Sequence, residues 1–472
     1  MKKNSLKNNS SNGAPCMFVG RKEEITLIQE IAKESNRSLL LYGKRKVGKT
    51  TLLNKALENS ENITVYYECV KSSIKENVSL FVDRLLEKKI IPVKIIFGTL
   101  QDVFEYLNTL PIKINIIIDE YPYLKKFEAA ETVDSIFQNI IDNHLKNISL
   151  FISGSHVGMM KDLLEEKNAL YGRFNTVIKL GELNYVEVAE FYSDKSVYDK
   201  IGFYAVFGGS PFVNSCLDPE KSLKANIIDT VLNSTSAVSN YADNLLMSDL
   251  SGSINAERIL FAVANGKKKY NEIENKLEME RNGLLSKHLK TMLDMELLSK
   301  IYPINAKEDK KKVYYEISDN LLRFYYAYVY KNKSALEVLG AENFYEEYIK
   351  PSIITFISHR FEAIGRMYFS LLVKSKKLRG ILDIGTYYYD NAIKKKNGEF
   401  DIALKTKEGF EIYEAKYYSG KMKETEMLEE EKQIKQIQDM KITKIGFITV
   451  GGVEKKIDSF SYIDGKELYQ PD

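Results

Sequence analysis

The first residues with types and spacing suited to chemistry form a glycine-bracketed loop that ends in a Lys-Thr pair. Gly43, Gly48, Lys49 and Thr50 directly follow the apolar run 38–42. In such a loop the backbone N–H groups point at phosphates, Lys49 would neutralise the β- and γ-phosphates, and the Thr50 hydroxyl would hold Mg²⁺. The pattern predicts a nucleotide site made by Gly43, Lys44, Arg45, Lys46, Val47, Gly48, Lys49, Thr50 and Thr51.

Two carboxylates end a second buried-strand pattern at 113–118. Asp119 is suited to holding the water shell of Mg²⁺, and Glu120 to polarising an attacking water. An Asp-Glu pair alone could merely cap the next helix. Beside a phosphate-binding loop, the pair favours an ATPase that uses ATP and Mg²⁺.

Further polar residues end the strand pattern 148–153. The hydroxyl of Ser153 or Ser155 could sense the γ-phosphate or position water, whereas His156 is interpreted as a loop residue. Arg173 follows in a later loop. It could reach a phosphate in the same subunit or a neighbouring one. It could equally form a surface ion pair worth roughly 0–1 kcal/mol.

A second group of candidate catalytic residues lies near the end of the chain. Glu414 and Lys416 are two apart on one strand pattern, so they share a face, and Asp401 joins them if its strand pairs alongside. Two carboxylates that bind Mg²⁺ and a lysine that steadies a water are suited to phosphodiester hydrolysis. Glu362 could supply a further acid. The alternative is an exposed hairpin whose alternating charges serve solubility.

Strand patterns that alternate with helical stretches must position the first group. They predict a parallel, doubly wound α/β sheet with its ligand site at the carboxyl ends of the strands, where Gly43, Asp119 and Ser153 fall. The predicted strands are Leu39–Tyr42, Ile63–Glu68, Ile114–Asp119 and Ile148–Ser153, with a further apolar stretch at Thr176–Leu180.

After this core a helical pattern runs to about residue 249 and is interrupted by Gly208-Gly209-Ser210-Pro211, which predicts a lid whose turn lies close to the nucleotide. Three helices and a ribbon then follow in the order of a winged helix. They are 256–264, 270–277, 283–292, 298–302 and 312–317, with a basic tip at 307–312.

On the third of these helices we expect an apolar face and a polar face. The core-facing residues would be Leu284, Leu285, Leu289, Met292 and Leu293, and the outward-facing ones Arg281, Asn282, Ser286, Lys287 and Lys290. The polar face suits a DNA groove. Because winged helices also bind proteins, DNA contact and protein contact both stay open.

Bulk composition narrows the class of protein. A chain of 472 residues with 44% hydrophobic content predicts two to four globular domains, and a net charge of +3 neither demands nor excludes nucleic acid. Three cysteines without ligand spacing predict a reducing cytoplasm and no thiolate metal site. No apolar run reaches about 18 residues, so no membrane segment is expected.

The order of motifs resembles the archaeal-type ATPases of the STAND/AAA+ branch. The likeness rests on 18–21, the phosphate-binding loop, 119–124, 151–155 and 171–173. It implies that Arg21 and Pro211 also contact the nucleotide, with Pro211 against adenine. It further implies a P-loop ATPase core with a helical lid and a winged helix.

The C-terminal part resembles the PD-(D/E)XK nuclease superfamily, a restriction-endonuclease-like α/β fold. The corresponding motif positions are Glu362, Asp401, Glu414 and Lys416. The expected divisions are a disordered tail at 1–15, the ATPase core at 16–182, the lid at 183–249, the winged helix with an aromatic helix at 250–330, a linker at 331–340 and the nuclease-like domain at 341–472.

These patterns support two functional hypotheses. In the first, an ATP-driven switch controls a DNA-directed, Mg²⁺-dependent effector domain, with ATP and DNA as partners and a homo-oligomer as one arrangement in which Arg173 would act in trans. In the second, the chain is a nucleotide-gated regulator or scaffold whose C-terminal domain cuts nothing. A small-molecule kinase is disfavoured by the winged helix.

Overall fold

A computed structural model describes residues 17–241, 254–264, 266, 268–278, 283–305, 309, 312–391, 396–437 and 440–470. The expected tail at 1–15, the end of the lid at 242–249, and Arg281 with Asn282 of the third winged-helix segment lie outside the described residues. So does most of the basic ribbon tip.

The N-terminal part is built on a five-stranded parallel sheet in the order β2-β3-β4-β1-β5. This confirms the predicted α/β class. The strands are β1 Arg37–Tyr42, β2 Ile63–Glu68, β3 Ile114–Asp119, β4 Ile148–Gly154 and β5 Thr176–Lys179. All six residues of β3 are buried. Each buried isoleucine side chain contributes about 1.5–3 kcal/mol of transfer free energy, which explains why this strand was readable from its sequence.

Helices cover both faces of this sheet. They are α1 Lys22–Lys33, α2 Lys49–Leu57, α3 Ile74–Glu87, α4 Leu100–Asn108, α5 Ala130–Asn143 and α6 Val157–Asp162, with a 3₁₀ turn at Tyr121–Lys126. α3 and α4 pack on the face opposite α1 and α2, so two separate apolar clusters form on the two sides. Because β1, β3 and β4 run parallel, their carboxyl ends meet at one edge.

The predicted lid is helical as far as it is described. Its elements are α7 Tyr185–Val188, α8 Val197–Phe207, α9 Pro211–Ser215 and α10 Leu223–Asn226, with a 3₁₀ turn at Ala189–Tyr192 and a π-helical turn at Ile227–Val231. Pro211 starts α9, a position at which proline's missing N–H costs nothing.

A helix-hairpin unit, residues 254–317, follows. It comprises α11 Ile254–Val263, β6 Lys268–Lys269, α12 Tyr270–Leu277, α13 Leu284–Asp294, β7 Leu298–Ile301 and β8 Tyr314–Ile317, with strand order β6-β8-β7. Leu285, Leu289 and Met292 are buried as predicted. The prediction for Leu284 is wrong, because it lies at the first position of α13 and is 39% exposed.

The C-terminal part contains a mixed sheet in the order β13-β12-β11-β10-β9. β9, β10 and β11 are antiparallel, whereas β11, β12 and β13 are parallel. Its strands are β9 Asp383–Asn391, β10 Lys396–Lys405, β11 Phe410–Lys416, β12 Ile442–Thr449 and β13 Phe460–Asp464, and its helices are α16 Ile353–Lys374, α17 Glu424–Lys435 and α18 Gly465–Leu468.

The segment 331–340, for which we expected a linker, is helical. It lies in a continuous helical stretch, with α14 Asn320–Phe324, a π-helical turn at Tyr325–Val329, a 3₁₀ turn at Tyr330–Asn332, α15 Lys333–Phe344 and a further π-helical turn at Tyr345–Ile349. Leu336 and Leu339 pack on a large apolar cluster, which offsets the weak helical signal of the polar residues around them. Gly340, with φ 72°, supplies the kink within α15.

That apolar cluster runs without a break from the lid to the C-terminal sheet. Tyr198 of the lid stacks on Tyr417 at 4.4 Å, and the Tyr417 hydroxyl donates a hydrogen bond to the Tyr198 carbonyl at 3.0 Å. Residues on both sides of the expected divisions at 249 and 340 therefore share one core. Within the described residues, no helix combines the length and apolar character that crossing a bilayer requires.

Candidate functional site

The glycine-bracketed loop leaves β1 and enters α2 with a backbone that requires glycine at both of its ends. A side chain at Gly43 would begin 2.1 Å from the Leu180 carbonyl oxygen, and Gly48 has φ 92°. Lys46 also has a positive φ, 64°. Successive residues of this kind turn N–H groups to one side and form an anion-binding concavity.

Lys49 is folded back onto this loop. Its Nζ donates to the carbonyl oxygens of Gly43 at 3.0 Å and Lys44 at 2.9 Å. Burial lowers the pKa of Lys49, although Glu120 and Asp119 partly oppose that shift. The ammonium group thus lies at the mouth of the concavity on hydrogen bonds that a phosphate oxygen would replace.

Asp119 is the most heavily bonded group of the site. Its Oδ2 accepts from the Thr50 hydroxyl at 2.6 Å and from the Tyr66 hydroxyl at 2.9 Å. Its Oδ1 accepts from the Ser153 hydroxyl and from the Glu120 N–H. Thr50 and Asp119 therefore present hydroxyl and carboxylate oxygens to the same point. Hard oxygen donors completed by substrate phosphates are the set that Mg²⁺ uses, so the residues fit that ion.

Glu120 adopts a left-handed backbone conformation, φ 54° and ψ 43°, which is uncommon for a residue with a side chain. Its Oε2 accepts from the Ser155 hydroxyl at 2.8 Å and the Ser155 N–H at 3.3 Å. Ser155 therefore contacts the predicted base. His156 caps α6 by accepting from the Met159 N–H, in keeping with its interpretation as a loop residue.

The Gly-Gly-Ser-Pro turn of the lid lies on the same loop. The Ser210 hydroxyl donates to the Lys46 carbonyl oxygen at 3.2 Å, and a side chain at Gly48 would begin 3.7 Å from Pro211 Cγ. The ammonium of Lys46 lies 4.4 Å from the centre of the Phe212 ring. The structure thus brings Pro211 to the entrance of α2.

Arg21 lies beside this loop without facing its concavity. The guanidinium donates to the Gly181 carbonyl, which follows β5, and pairs with Glu24 at 3.6 Å. Its own N–H donates to Glu187 at 3.3 Å. Arg21 therefore fastens the chain before α1 to the segment after β5.

Arg173 is at the other end of the sheet. Its carbonyl accepts from Ser38 at the start of β1, and its Nε pairs with Asp142 at 3.0 Å. The phosphate-binding loop leaves the far end of β1, and six strand residues span about 17–20 Å. Within one chain Arg173 therefore lies far from the phosphate-binding loop, and of the alternatives left open by the sequence the structure shows the ion pair, with Asp142. The loop directly precedes β5, so it lies at the amino ends of the parallel strands.

The helix-hairpin unit borders a small space next to the phosphate-binding loop. A space of only 30 Å³ separates Lys44, Arg45 and Ser155 from Met295 and Leu297. Between those two residues, Glu296 has φ 59° and pairs with Lys161 at 3.2 Å and with Lys179. Burial would raise the pKa of Glu296, but the two lysines outweigh it and lower the pKa.

Glu182 and Asp319 form a pair of neighbouring carboxyl groups that links the segment after β5, the lid and the start of α14. Glu182 accepts from the Gly209 N–H of the lid at 3.2 Å. Burial and the neighbouring Asp319 raise the pKa of Glu182 to about 7, and Lys44 opposes the shift. Asp319 caps α14. Glu182, Asp319, Glu296 and Tyr66 were all missed by sequence reasoning, because their partners lie far away in the chain.

The C-terminal candidates meet on β10 and β11. Ile402 pairs with Tyr413, so Asp401 and Glu414 are the next residues along the two strands. Lys416 Nζ donates to Glu414 at 3.0 Å and to Glu430 of α17 at 2.9 Å. Burial raises the pKa of Glu414, and Lys416 opposes it. Glu430, on the largely exposed helix α17, is a further acid that the sequence analysis did not single out.

Glu362 reaches the same region from α16. It pairs with His359 at 3.3 Å and is close enough to Glu414 to raise the pKa of that carboxyl. Arg366, one turn further along α16, donates to the Asp401 carbonyl oxygen at 2.6 Å. Among the described residues, no three His, Cys, Asp or Glu side chains converge closely enough to hold a metal ion.

Comparison with known proteins gives two family matches. Residues 18–212 match a family described as an ATPase domain found predominantly in Archaea. Residues 325–433 match a family of archaeal and bacterial proteins of unknown function. An uncharacterized protein of Methanocaldococcus jannaschii is 31% identical over 380 residues, which is 79% of this chain and 82% of that protein. The chain belongs to the archaeal-type ATPase family.

Two further comparisons agree with the assignment of the chain to the archaeal-type ATPases. An uncharacterized ATP-binding protein of the same organism is 48% identical over 46 residues, 10% of this chain and 78% of that protein. The Walker-type ATPase of Pyrococcus abyssi shares the fold with a TM-score of 0.50 at 18% identity, covering 66% of this chain and 96% of that one. The protein is thus an ATP-hydrolysing enzyme with a P-loop fold.

In this archaeal-type ATPase we predict that Glu120→Gln will retain ATP binding but lower the turnover number about 100-fold. A carboxylate that orients or deprotonates water typically contributes about 10²–10⁴-fold, and an amide of the same shape cannot accept the proton. Phosphate release under saturating ATP measures the effect. Glu128→Gln, an exposed change in the loop after β3, is the matched control. Turnover by Glu120→Gln at the wild-type rate would show that the base lies elsewhere.

Proposed function

We propose that this ATPase is a nucleotide-driven switch that controls a Mg²⁺-dependent, DNA-cutting C-terminal domain. The observation that carries the proposal is the position of Met295 and Leu297, which line a small space together with Lys44 and Arg45 of the phosphate-binding loop and so place the unit that borders the C-terminal acids next to the ATPase core. A space of 30 Å³ holds about one water molecule, so a nucleotide that extends there must displace this turn.

Residues of the chain account for the ATPase half of this cycle. Lys49 would exchange the Gly43 and Lys44 carbonyl oxygens for phosphate oxygens, and Thr50 with Asp119 would hold Mg²⁺. When bound, that ion neutralises charge on the β- and γ-phosphates. Glu120 would leave Ser155 and orient the attacking water. Exchange of these hydrogen bonds between two nucleotide states supplies the differential interaction that a switch requires.

A continuous set of contacts leads from that site to the C-terminal acids. The turn at 295–297 enters β7, which pairs with β8. Glu316 of β8 pairs with Arg323 at 2.8 Å and with Arg360 of α16 at 3.7 Å. α16 carries Glu362. Movement of the helix-hairpin unit would therefore act on the element that holds one of the proposed catalytic acids.

In the C-terminal site, Asp401 and Glu414 would hold Mg²⁺, which supplies Lewis-acid stabilisation when bound. Lys416 is held by Glu414 and Glu430 and would steady the attacking water. Burial raises the pKa of Glu414 and so favours its protonated form. A bound divalent cation would oppose that effect and favour the carboxylate.

The test is cleavage of end-labelled single-stranded and duplex DNA by the full chain with Mg²⁺, with Mn²⁺ and with EDTA. We expect products with either metal and none with EDTA. The pairing of Lys416 with two carboxylates also suits a regulator whose C-terminal domain does not cut. ATP turnover without any DNA cleavage under these conditions would favour that second function and overturn the first.

A further inference from the structure

A cavity between the helix-hairpin unit and the C-terminal part lies away from the nucleotide-binding loop. It has a volume of about 880 Å³ and lies between the hairpin of the helix-hairpin unit, α16 and the first two strands of the C-terminal sheet. Glu362 lines it, so it opens onto the proposed cutting site. No step of the ATPase cycle uses its other residues.

Positive charge predominates in the lining. Three glutamates, Glu316, Glu362 and Glu399, face six cationic side chains, namely Lys268, Lys269, Lys312, Arg323, Arg360 and Arg366. A concave wall of low dielectric focuses such a field on the space within it. The ligand class that this charge favours is anionic.

The inner wall concentrates three guanidinium groups around one carboxylate. Glu316 pairs with Arg323 and Arg360, whose side chains are only 4% and 13% exposed. Burial would raise the pKa of Glu316, but Arg323, Arg360 and Arg366 outweigh it and lower it. Burial, followed by repulsion from Arg323, lowers the pKa of Arg360 to about 9. Buried cations in excess of their partners are costly unless an anion joins them.

The nitrogens of Arg323 are engaged by protein or enclosed by it, so donors for a ligand come from Arg366 on the same wall. Two nitrogens of Arg323 bond Glu316 and the Ile317 carbonyl, whereas its Nε is buried and has no hydrogen-bond partner among the described residues. One nitrogen of Arg366 donates a hydrogen bond to the Asp401 carbonyl oxygen. A guanidinium carries five N–H donors in a planar fork that matches phosphate oxygens, so donor capacity remains on this wall.

Another part of the lining is aromatic. Tyr314 and Tyr388 stack with ring centres 4.9 Å apart and planes 12° apart, and Lys269 lies 5.3 Å from the Tyr314 ring centre. Tyr389 and Phe356 add further rings. Cations that follow a backbone and aromatic faces that stack bases are the combination by which proteins bind single strands.

The volume of the cavity favours a single strand over a duplex. Sites of about 300–1,000 Å³ enclose small molecules, so 880 Å³ suits a few unpaired nucleotides better than a base-paired duplex. Arg366 and Glu362 are four residues apart on α16, about 6 Å along its axis. A phosphate on the arginines would thus place its neighbour close to Glu362.

We propose that this arginine cavity, defined by Arg323, Arg360 and Arg366, binds the backbone phosphate of a single-stranded nucleic acid and feeds that strand to the C-terminal acids. The proposal that a strand binds here depends on the cavity alone. The proposal that the strand is delivered to the C-terminal acids rests on the proposed nuclease function. The same chemistry would accept the phosphate of a free nucleotide, which the test separates.

The experiment measures fluorescence anisotropy of a labelled short oligo(dT) with the full chain in EDTA, where no cutting occurs. Arg360→Gln should weaken binding about tenfold or more, through loss of charge-assisted hydrogen bonds. Arg360→Lys keeps the positive charge but not the planar set of guanidinium donors, so its loss of affinity should be smaller. The exposed Arg379→Gln, just beyond α16, is the matched control. Thermal unfolding checks that each variant folds.

Each outcome is decisive. Equal affinity of wild type and both Arg360 variants for oligo(dT) would overturn the proposal, as would tighter binding of a duplex than of the single strand. If thymidine monophosphate at the same concentration displaces the labelled strand, the cavity binds a free nucleotide, and the proposal that it binds a single strand is overturned. If the strand binds through Arg360 but is never cut with Mg²⁺, the cavity proposal stands and the nuclease function fails.

Discussion

Lys49→Ala is expected to abolish ATP turnover and to weaken ATP binding about 100-fold or more. Lys49 is the buried cation at the mouth of the phosphate-binding loop, and its Nζ already lies on two carbonyl oxygens of that loop. A charge-assisted hydrogen bond contributes about 1.5–3 kcal/mol, and alanine removes both the charge and the donors. Calorimetric titration with ATP and Mg²⁺ measures the binding.

Lys55→Ala is the matched control, because Lys55 lies on the same helix but is exposed and pairs with the exposed Glu58. Its binding and turnover should stay close to the wild-type values, since an exposed ion pair contributes roughly 0–1 kcal/mol. If Lys49→Ala hydrolyses ATP at a rate within twofold of the wild type, the phosphate-binding role that we assign to this lysine is wrong.

Asp401→Ala is expected to reduce Mg²⁺-dependent DNA cleavage to the background level while ATP turnover continues. Asp401 and Glu414 lie side by side on β10 and β11, and removal of one carboxylate leaves too few oxygen ligands for the ion. Gel analysis of an end-labelled strand measures the cleavage. Phosphate release in the same preparation shows that the chain is folded.

Asp458→Ala is the control for this prediction, since Asp458 is exposed in the segment before β13. Cleavage should be unchanged in it. Undiminished cutting by Asp401→Ala, with the wild type active, would mean that the acids of another site do the chemistry.

Much of the ATPase core could be predicted because its signals are local. An apolar run such as β3, buried along its whole length, defines a strand without help from the rest of the chain. The carboxyl-edge rule for parallel sheets then places Asp119 beside Thr50, and the two side chains lie 2.6 Å apart. Glu414 and Lys416 share a face for a similarly local reason, the two-residue period of a strand.

The parts that sequence reasoning missed depend on long-range packing. From sequence alone, segment 331–340 is interpreted as a linker, because the packing of Leu336 and Leu339 on the shared apolar cluster depends on residues far away in the chain. Tyr66 reads as a packing residue, and only the pairing of β2 with β3 brings its hydroxyl to Asp119. The Glu296 contact with two lysines of the core joins positions more than 100 residues apart.

The most direct test of the account compares single-turnover cleavage of a labelled strand by Glu120→Gln, held in its ATP-bound state, with cleavage by the same protein bound to ADP. Coupling through the turn at 295–297 predicts rates that differ about fivefold or more, the lower end of typical allosteric coupling. Equal rates in the two nucleotide states, with Mg²⁺-dependent cleavage present in both, would contradict the claim that ATP controls the C-terminal domain.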